Sequence, residues 1–399
     1  MAALGVNEEV RMERLLRVAT CLAMCGYGAQ MGALAACARA FYSDAQVWAA
    51  QVHHRGPRGC THLMRAAGMG SAARVQYLLD RGAAADAAEV RGGTALMMAS
   101  DGGHLEAVRC LVERGGANVN AARTTDGATA LMGASQQGHL ETVRFLVERG
   151  GANVDAARTN DGMTALMWAS QNGHVMIARF LMERGGANVN SARTTDGCTA
   201  LMSASAEGHL EIVRCLVERG GANVNAAMTA DGFTALMSAS AKGHLEIVRC
   251  LVERGGANVY AARTNNGGTA LMEACQSGHP LLATYLLRRG AAVNAALFLS
   301  GATALTCACW KGHAACIPPL CAAGADLDAA TTGTDPGPAA ISLGSTPLML
   351  ASREGHVKCV QALLGLGASA GLADAAGRTA HGHAVRFPKV RAALAGYLP

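Results

Sequence analysis

The strongest constraint on the fold is a short segment, Gly-x-Thr-x, that recurs ten times along the chain at nearly fixed spacing. Successive threonines lie 33 to 35 residues apart, with a single gap of 43 residues. They are Thr61, Thr94, Thr129, Thr164, Thr199, Thr234, Thr269, Thr303, Thr346 and Thr379. A period of this length is typical of stacked supersecondary units that cannot each bury a core alone. The sequence therefore predicts a repeat array with a long surface and no deep pocket.

Composition narrows the class of protein further. Hydrophobic residues make up 51% and charged residues 16% of the 399 residues, which is too apolar for a disordered chain. The net charge of +5 argues against obligate nucleic-acid binding. The uncharged run 18–38 is broken at Gly26-Tyr27-Gly28, which favours two short helices over a membrane span. None of the 14 cysteines forms a C-x-x-C pair, which indicates a reducing compartment, the cytoplasm or the nucleus.

One internal repeat, residues 126–160, shows how each unit is built. Thr129 is a natural N-cap for a short first helix, and Gly138-His139 forms a tight corner before a second helix from about Leu140 to Arg149. The residues after Gly150 have no helical period and end in a turn at the next Asp-Gly, so they predict an extended finger.

This pattern resembles an ankyrin repeat. The resemblance rests on Asp126-Gly127-Ala128-Thr129-Ala130-Leu131, Gly138-His139-Leu140-Glu141-Thr142-Val143, Leu146-Val147 and Gly151-Ala152-Asn153-Val154-Asp155, and it recurs from about residue 59 to 384. It implies an all-α repeat solenoid, a stack of helix-turn-helix units with extended β-turn fingers. Two features depart from the family: Thr-Pro-Leu-His becomes Thr-Ala-Leu-Met in most units, and internal units reach 35 residues.

The sequence divides into a helical N-terminal region, residues 1–55, and an ankyrin-repeat domain of about ten units, residues 56–399. That domain has an insertion near 331–343 and a capping unit at 377–399. Pro318-Pro319 falls inside a second helix, where we expect a kink and a weaker array.

Residues 34–41 and 44–48 are similar to the second half of an F-box. The N-terminal region is therefore either a plain helical cap or a segment that binds a ubiquitin-ligase linker protein.

Positions that vary between otherwise similar repeats are the candidate binding residues, because buried positions resist changes of volume. They precede the capping threonine, lie early in the first helix, or precede the corner glycine, and we expect them to face solvent on the concave side. In ankyrin-repeat proteins that side is the usual partner-binding surface. The candidates are Met163, Trp168, Gln171, Asn172, Cys198, Ser203, Glu207, Phe233, Ser238, Lys242, Glu273, Trp310 and Lys311. The alternative is that the large apolar members fill gaps between units.

Arginines form two further periodic sets. Arg123, Arg158, Arg193 and Arg263 recur in the fingers, which predicts either a row of guanidinium groups for an acidic ligand or a solvated edge copied by duplication. Another set, on the second helices, recurs four residues before a glutamate, as in Arg214 and Glu218, and predicts surface ion pairs.

No catalytic motif stands out from the repeat. Eight histidines occupy the corner position once per unit, so we interpret them as structural. Cys307, Cys309, His313 and Cys316 suggest zinc ligands, but each aligns with an ordinary repeat position, so no metal site is expected. There is no P-loop, H-E-x-x-H or G-x-S-x-G. We therefore predict a non-enzyme that needs no cofactor.

The sequence leaves three functional hypotheses. The first is a monomeric, non-catalytic scaffold that binds a protein partner through the concave first-helix side and the fingers. The second is an adaptor that recruits such a partner to a ubiquitin ligase through residues 1–55. The third is binding of an acidic lipid or nucleic acid by the finger arginines, which the modest net charge does not favour.

Overall fold

The computed structural model describes residues 55–333 and 342–397. The chain divides into two compact units, Met1–Asn160 and Asp161–Pro399, and each is described here by itself. Within the described ranges the secondary structure is helical, and the only β-structure is a set of isolated bridges that close the fingers, such as Ala227 with Thr234. The F-box-like segment and most of the insertion lie outside the described residues.

The described part of the first unit, residues 55–160, contains three helix pairs. Its first helices are α1 (His62–Gly68), α3 (Ala95–Asp101) and α5 (Ala130–Gln137). Its second helices are α2 (Ala72–Asp80), α4 (Leu105–Arg109, continued by a π-helical turn at Cys110–Arg114) and α6 (Leu140–Glu148). A short 3-10 turn, Pro57–Gly59, precedes them.

Seven helix pairs lie in the described residues of the second unit. Its first helices are α7 (Ala165–Gln171), α9 (Ala200–Glu207), α11 (Ala235–Lys242), α13 (Ala270–Gln276), α15 (Ala304–Lys311), α17 (Pro347–Glu354) and α19 (Ala380–His383). Its second helices are α8 (Val175–Glu183), α10 (Leu210–Glu218), α12 (Leu245–Glu253), α14 (Pro280–Arg288), α16 (Ile317–Ala322), α18 (Val357–Gly365) and α20 (Pro388–Ala395). All of these first helices begin one residue after a repeat threonine, as the sequence predicts.

The threonine caps explain where the first helices start. Thr199 Oγ1 accepts the backbone N–H of Met202 at 3.4 Å, and Thr94 Oγ1 accepts that of Met97 at 3.3 Å. Each bond satisfies one of the N–H groups that a helix leaves without an internal partner. The same cap recurs at the other repeat threonines, so the period of the sequence becomes the period of the helices.

Burial between neighbouring repeats holds these short helices. Within each unit, successive first helices pack against one another, and so do successive second helices. The Ala-Leu-Met run of a first helix, for example Ala200, Leu201 and Met202, is almost fully buried, as are Ile212 and Val213 of α10. A helix of seven to nine residues is marginal in water by itself, so its stability comes from this packing.

A glycine–histidine contact links successive repeats within each unit. Gly208 ends α9 with a left-handed backbone, φ 86°, and a Cβ there would lie 2.8 Å from the His244 ring. His244 Nε2 in turn donates to the carbonyl of Ala206 at 3.3 Å. The same hydrogen bond joins His104 to Gly68, His139 to Asp101 and His209 to Gln171. The corner histidines are structural, as the sequence predicts.

The double proline lies at the start of its helix. Cys316 ends a 3-10 turn, and α16 begins at Ile317, so Pro318 and Pro319 occupy its first turn. Proline is tolerated there because its missing N–H would be unpaired in any case. The expected interior kink is therefore wrong.

The repeats on either side of the insertion stay in contact. Helix α15 packs on both α13 and α17, and His356 Nε2 donates to Trp310 O at 3.1 Å across the insertion. The expected weakness of this region stays a prediction.

A buried carboxylate braces the last repeat. Asp374 has no exposed side-chain surface, and its Oδ1 accepts the backbone N–H groups of Ala376 and Arg378 at 2.9 and 2.8 Å. His383 Nε2 donates to Oδ2 at 2.9 Å. Burial would raise the pKa of Asp374, but the bonds from the Arg378 N–H, His383 and the Arg378 guanidinium together hold that pKa below its usual value.

We expect the Gly208→Ala substitution to lower the free energy of unfolding by more than the same change at Gly221. Both glycines have positive φ, so each alanine costs about 1–2 kcal/mol for its backbone. Only Gly208 also faces a histidine ring, whereas nothing lies within 4 Å of a Cβ at Gly221. Urea unfolding of both variants measures the difference. Equal losses would mean that the histidine contact does not constrain the corner.

The Asp374→Asn substitution is expected to destabilise the protein at neutral pH and to matter less in acid. Because the folded pKa of Asp374 is lowered, its ionised form stabilises the fold above the usual carboxylate pKa of about 3.9. That contribution is lost as pH falls through the folded pKa. Urea unfolding at pH 7, 5 and 3.5 should show the gap between wild type and variant narrowing with acid. A gap independent of pH would contradict this account.

Candidate functional site

Most of the variable positions lie on one side of the second unit, along the first helices and their corners. We call this set the first-helix surface; its members are Trp168, Gln171, Asn172, Cys198, Ser203, Glu207, Phe233, Lys242, Glu273, Trp310 and Lys311. Asn172, Glu207, Lys242 and Lys311 are exposed, and the remaining members are half-buried. Because successive first helices pack side by side in this unit, equivalent positions are neighbours.

Two of the candidate residues are not accessible. Met163 is 2% exposed and Ser238 is 8% exposed, so the expected exposure is wrong for both. Ser238 Oγ donates back to the carbonyl of Thr234 at 3.1 Å, which directs this small side chain into its own helix. Met163 lies where the finger joins the helix, and a residue at such a junction can vary in size with its neighbours while staying covered. Variability between repeats therefore did not distinguish exposed positions from junction positions.

Aromatic rings on this surface are held by charged neighbours. The Arg263 guanidinium lies 4.8 Å from the centre of the Phe233 ring, and the Lys311 ammonium lies 4.1 Å from the Trp310 ring. Both distances fit cation–π contacts. Asn172 Nδ2 donates to the Trp168 carbonyl at 2.9 Å and fixes the end of α7. The Phe233 and Trp310 rings therefore have defined positions on a surface that water reaches.

Small side chains lie between Trp168 and Phe233 along the array. Cys198 Sγ is 3.6 Å from Ser203 Oγ, and both residues are half-buried. Burial raises the pKa of the Cys198 thiol. The thiol therefore stays protonated at neutral pH and is poorly suited to act as a nucleophile. Its chemistry is that of a small apolar group.

One arginine holds two carboxylates at the edge of the surface. Arg263 contacts Asp231 of the preceding finger closely and Glu273 of α13 at 3.2 Å. Burial raises the pKa of Glu273, and Arg263 opposes that shift. The three groups form an ion-pair cluster with one net negative charge beside Phe233, and their side chains are each about one fifth exposed.

The other finger arginines are paired in the same way. Arg123 donates to both oxygens of Asp126 at 2.8 and 2.5 Å, and Arg158 approaches that carboxylate at 3.3 Å. Arg193 lies 3.3 Å from Asp196. Hydrogen bonding to Arg123 lowers the pKa of Asp126, so this pair is ionised at neutral pH. The expected row of guanidinium groups stays a prediction, but each of these arginines already contacts an aspartate of the fingers. The sequence already indicated this pairing, because Asp126 lies three residues after Arg123 and Asp196 lies three residues after Arg193.

The second helices carry an ion-pair ladder between repeats that the sequence analysis missed. Arg219 lies 2.9 Å from Glu183 and Arg254 lies 2.7 Å from Glu218, each reaching back one repeat. Arg214 pairs with Glu211 at 2.9 Å, so the expected pairing of Arg214 with Glu218 is wrong. The expected spacing of four residues does occur in Arg179–Glu183, at 3.9 Å. These pairs are exposed and contribute little individually.

Family models match most of the chain. The model described as "Ankyrin repeats (3 copies)" matches residues 28–123, 116–193, 185–263 and 256–331, and the model described as "Ankyrin repeat" matches residues 343–375. The chain belongs to the ankyrin-repeat family. As an ankyrin-repeat protein it is an all-α solenoid, and ankyrin repeats generally mediate protein–protein interactions.

A solved structure agrees with this assignment. The human ASB11 ankyrin repeat domain is 25% identical to this ankyrin-repeat protein, with a TM-score of 0.50, and the match covers 59% of this chain and 99% of that one. No curated protein matches the sequence.

Two features are absent from the part of the chain that the structure describes. Across residues 55–333 and 342–397, no helix is long and apolar enough to cross a bilayer. Over the same ranges, no three or more His, Cys, Asp or Glu side chains are arranged to hold a metal ion. Cys307, Cys309 and Cys316 are buried in the core of their repeats.

We expect the Arg263→Met substitution to destabilise the protein more than Arg193→Met. Removing Arg263 leaves two half-buried carboxylates without their common cation, at a cost of about 1.5–3 kcal/mol. Arg193 has one acidic neighbour at 3.3 Å, and its loss should cost less than about 1 kcal/mol. Urea unfolding compares the two variants. Equal effects would contradict a structural role specific to Arg263.

Proposed function

We propose that this ankyrin-repeat protein is a non-catalytic scaffold that binds a protein partner through the first-helix surface of its second unit. The observation that supports this most is the set of water-accessible aromatic rings, Trp168, Phe233 and Trp310, on a surface otherwise made of polar and small residues. Aromatic side chains enclosed by polar groups are the usual energetic centres of protein interfaces.

Small residues separate two of these aromatic positions along the array. Cys198 and Ser203 belong to the repeat between those of Trp168 and Phe233, and their side chains are 3.6 Å apart. We expect a partner side chain to bind at these small residues and to contact the neighbouring rings. The ring of Phe233 is already held by Arg263, so binding would cost little side-chain entropy.

Acidic-ligand binding is less well supported than protein binding. Arg123, Arg193 and Arg263 each contact an acidic residue of the chain, so an acidic ligand would have to displace those partners. The adaptor hypothesis rests on residues 1–55, of which residues 1–54 lie outside the described structure, and it stays a prediction. A cytoplasmic or nuclear location also stays a prediction.

The double variant Trp168→Ala/Phe233→Ala should lose partners that the wild type retains. Truncating one hot-spot residue costs about 2 kcal/mol or more, so two should weaken binding by more than a hundredfold if both contact the partner. Proximity labelling in the source cell would show proteins absent from the double variant.

The matched control is Met176→Ala/Leu281→Ala. These side chains are 49% and 75% exposed and lie on the second helices α8 and α14, away from the first-helix surface. The control should keep the wild-type set of labelled proteins. Loss in the control, or retention in the double variant, would place the binding surface elsewhere.

A further inference from the structure

We infer that the partner segment is an extended peptide of polyproline II type that presents one side chain to each repeat. Opposite Glu207 it carries a basic residue, and opposite Lys242 and Lys311 it carries acidic residues. This inference rests on the proposed function, because it describes the occupant of the first-helix surface.

The spacing of the repeats favours this backbone. Packed helices lie about 8–10 Å apart, which sets the distance between equivalent residues of successive first helices. A polyproline II helix has three residues per turn and rises about 3.1 Å per residue, so one side chain in three faces the same direction about every 9 Å. A β-strand repeats its facing side chain about every 7 Å and loses register with the array within two or three repeats.

Three charges on the first-helix surface are available to a partner. Glu207, Lys242 and Lys311 are exposed and immediately precede the corner glycines Gly208, Gly243 and Gly312. Within the described ranges, Glu207 and Lys242 take part in no ion pair. Lys311 lies over the Trp310 ring, which leaves its positive charge uncompensated.

The other charges beside this row are engaged in ion pairs within the chain. Arg193 pairs with Asp196, and Arg263 pairs with both Asp231 and Glu273, a cluster that keeps one net negative charge. The charges of the row that have no ion-pair partner are therefore one negative and two positive, in fixed order along the array. Charge complementarity requires a basic position, an acidic position three residues away, and a second acidic position six residues beyond that, in either chain direction.

The remaining corners offer neutral hydrogen-bonding groups. Asn172, Gln276 and Ser277 are exposed and Gln171 is half-buried. A polyproline II segment has no internal hydrogen bonds, so its backbone N–H and C=O groups can bond to these side chains. The backbone of an α-helix is satisfied internally and would leave the amides without partners. This difference is why we favour the extended segment over a helix whose facing residues recur every seven positions.

The test is a selection from a random library of 16-residue peptides displayed on phage, with the full chain as bait. The wild type should enrich peptides with one basic and two acidic positions at spacings of three and six residues, together with an aromatic or aliphatic residue. Selections on Glu207→Lys and Lys242→Glu should each invert the sign of one position and leave the other spacings unchanged. Peptides selected on wild type should bind Lys242→Glu at least fivefold more weakly, and a lysine at the matching peptide position should restore binding.

The outcomes separate this inference from the proposed function. Peptides that need Trp168 and Phe233 but show a seven-residue charge period, or no fixed charge spacing, would overturn the extended register and keep the binding surface. Peptides unaffected by Trp168→Ala/Phe233→Ala would overturn the proposed function itself. The Met176→Ala/Leu281→Ala variant serves again as the folded control and should select the wild-type pattern.

Discussion

Burial of small apolar faces between neighbouring repeats is the interaction on which the rest of this structure depends. Helices of four to nine residues carry too few internal hydrogen bonds to persist alone, so each exists because Leu, Met, Ala and Val on one face are covered by the next repeat. The aromatic content of 4% is compatible with this design, because closely spaced helices need small side chains rather than large ones. Phe145 and Phe180 are buried on second helices, whereas Trp168, Phe233 and Trp310 lie on the first-helix surface.

The chain also neutralises most of the charge that it displays. Finger arginines contact finger aspartates, the second helices exchange ion pairs between repeats, and Asp374 is enclosed by its own donors. None of these pairs needs a partner molecule. The few charges that stay uncompensated on the first-helix surface therefore carry more information about a ligand than the net charge does.

The fold could be predicted in detail from the periodicity, whereas the orientation of individual side chains could not be predicted from it. The threonine caps, the corner glycines and the helix order follow from residue type and spacing, which act locally. Met163 was misplaced because exposure at a repeat junction depends on the neighbouring repeat, and Ser238 was misplaced because its small side chain bonds back into its own helix. Pro318 and Pro319 were misjudged because helix α16 starts later than its counterparts and accommodates them in its first turn. Both Glu211 and Glu218 lie at a spacing from Arg214 that allows an ion pair on one helix, so the sequence alone does not predict which pair forms.

The contact between a corner glycine and the histidine of the following repeat determines how such a chain can change in length. Within each unit the corner histidines fit against a glycine one repeat back, and the contact is nearly the same from Gly173 to Gly312. Removing or duplicating a complete repeat would therefore recreate an equivalent junction, whereas a shift by part of a repeat would set a ring against a residue with a side chain. Phe387 replaces the histidine against Gly355 in the last repeat. Whole repeats can consequently be inserted or deleted in the interior of the array. The last repeat differs, because a phenylalanine ring takes the place of the histidine there.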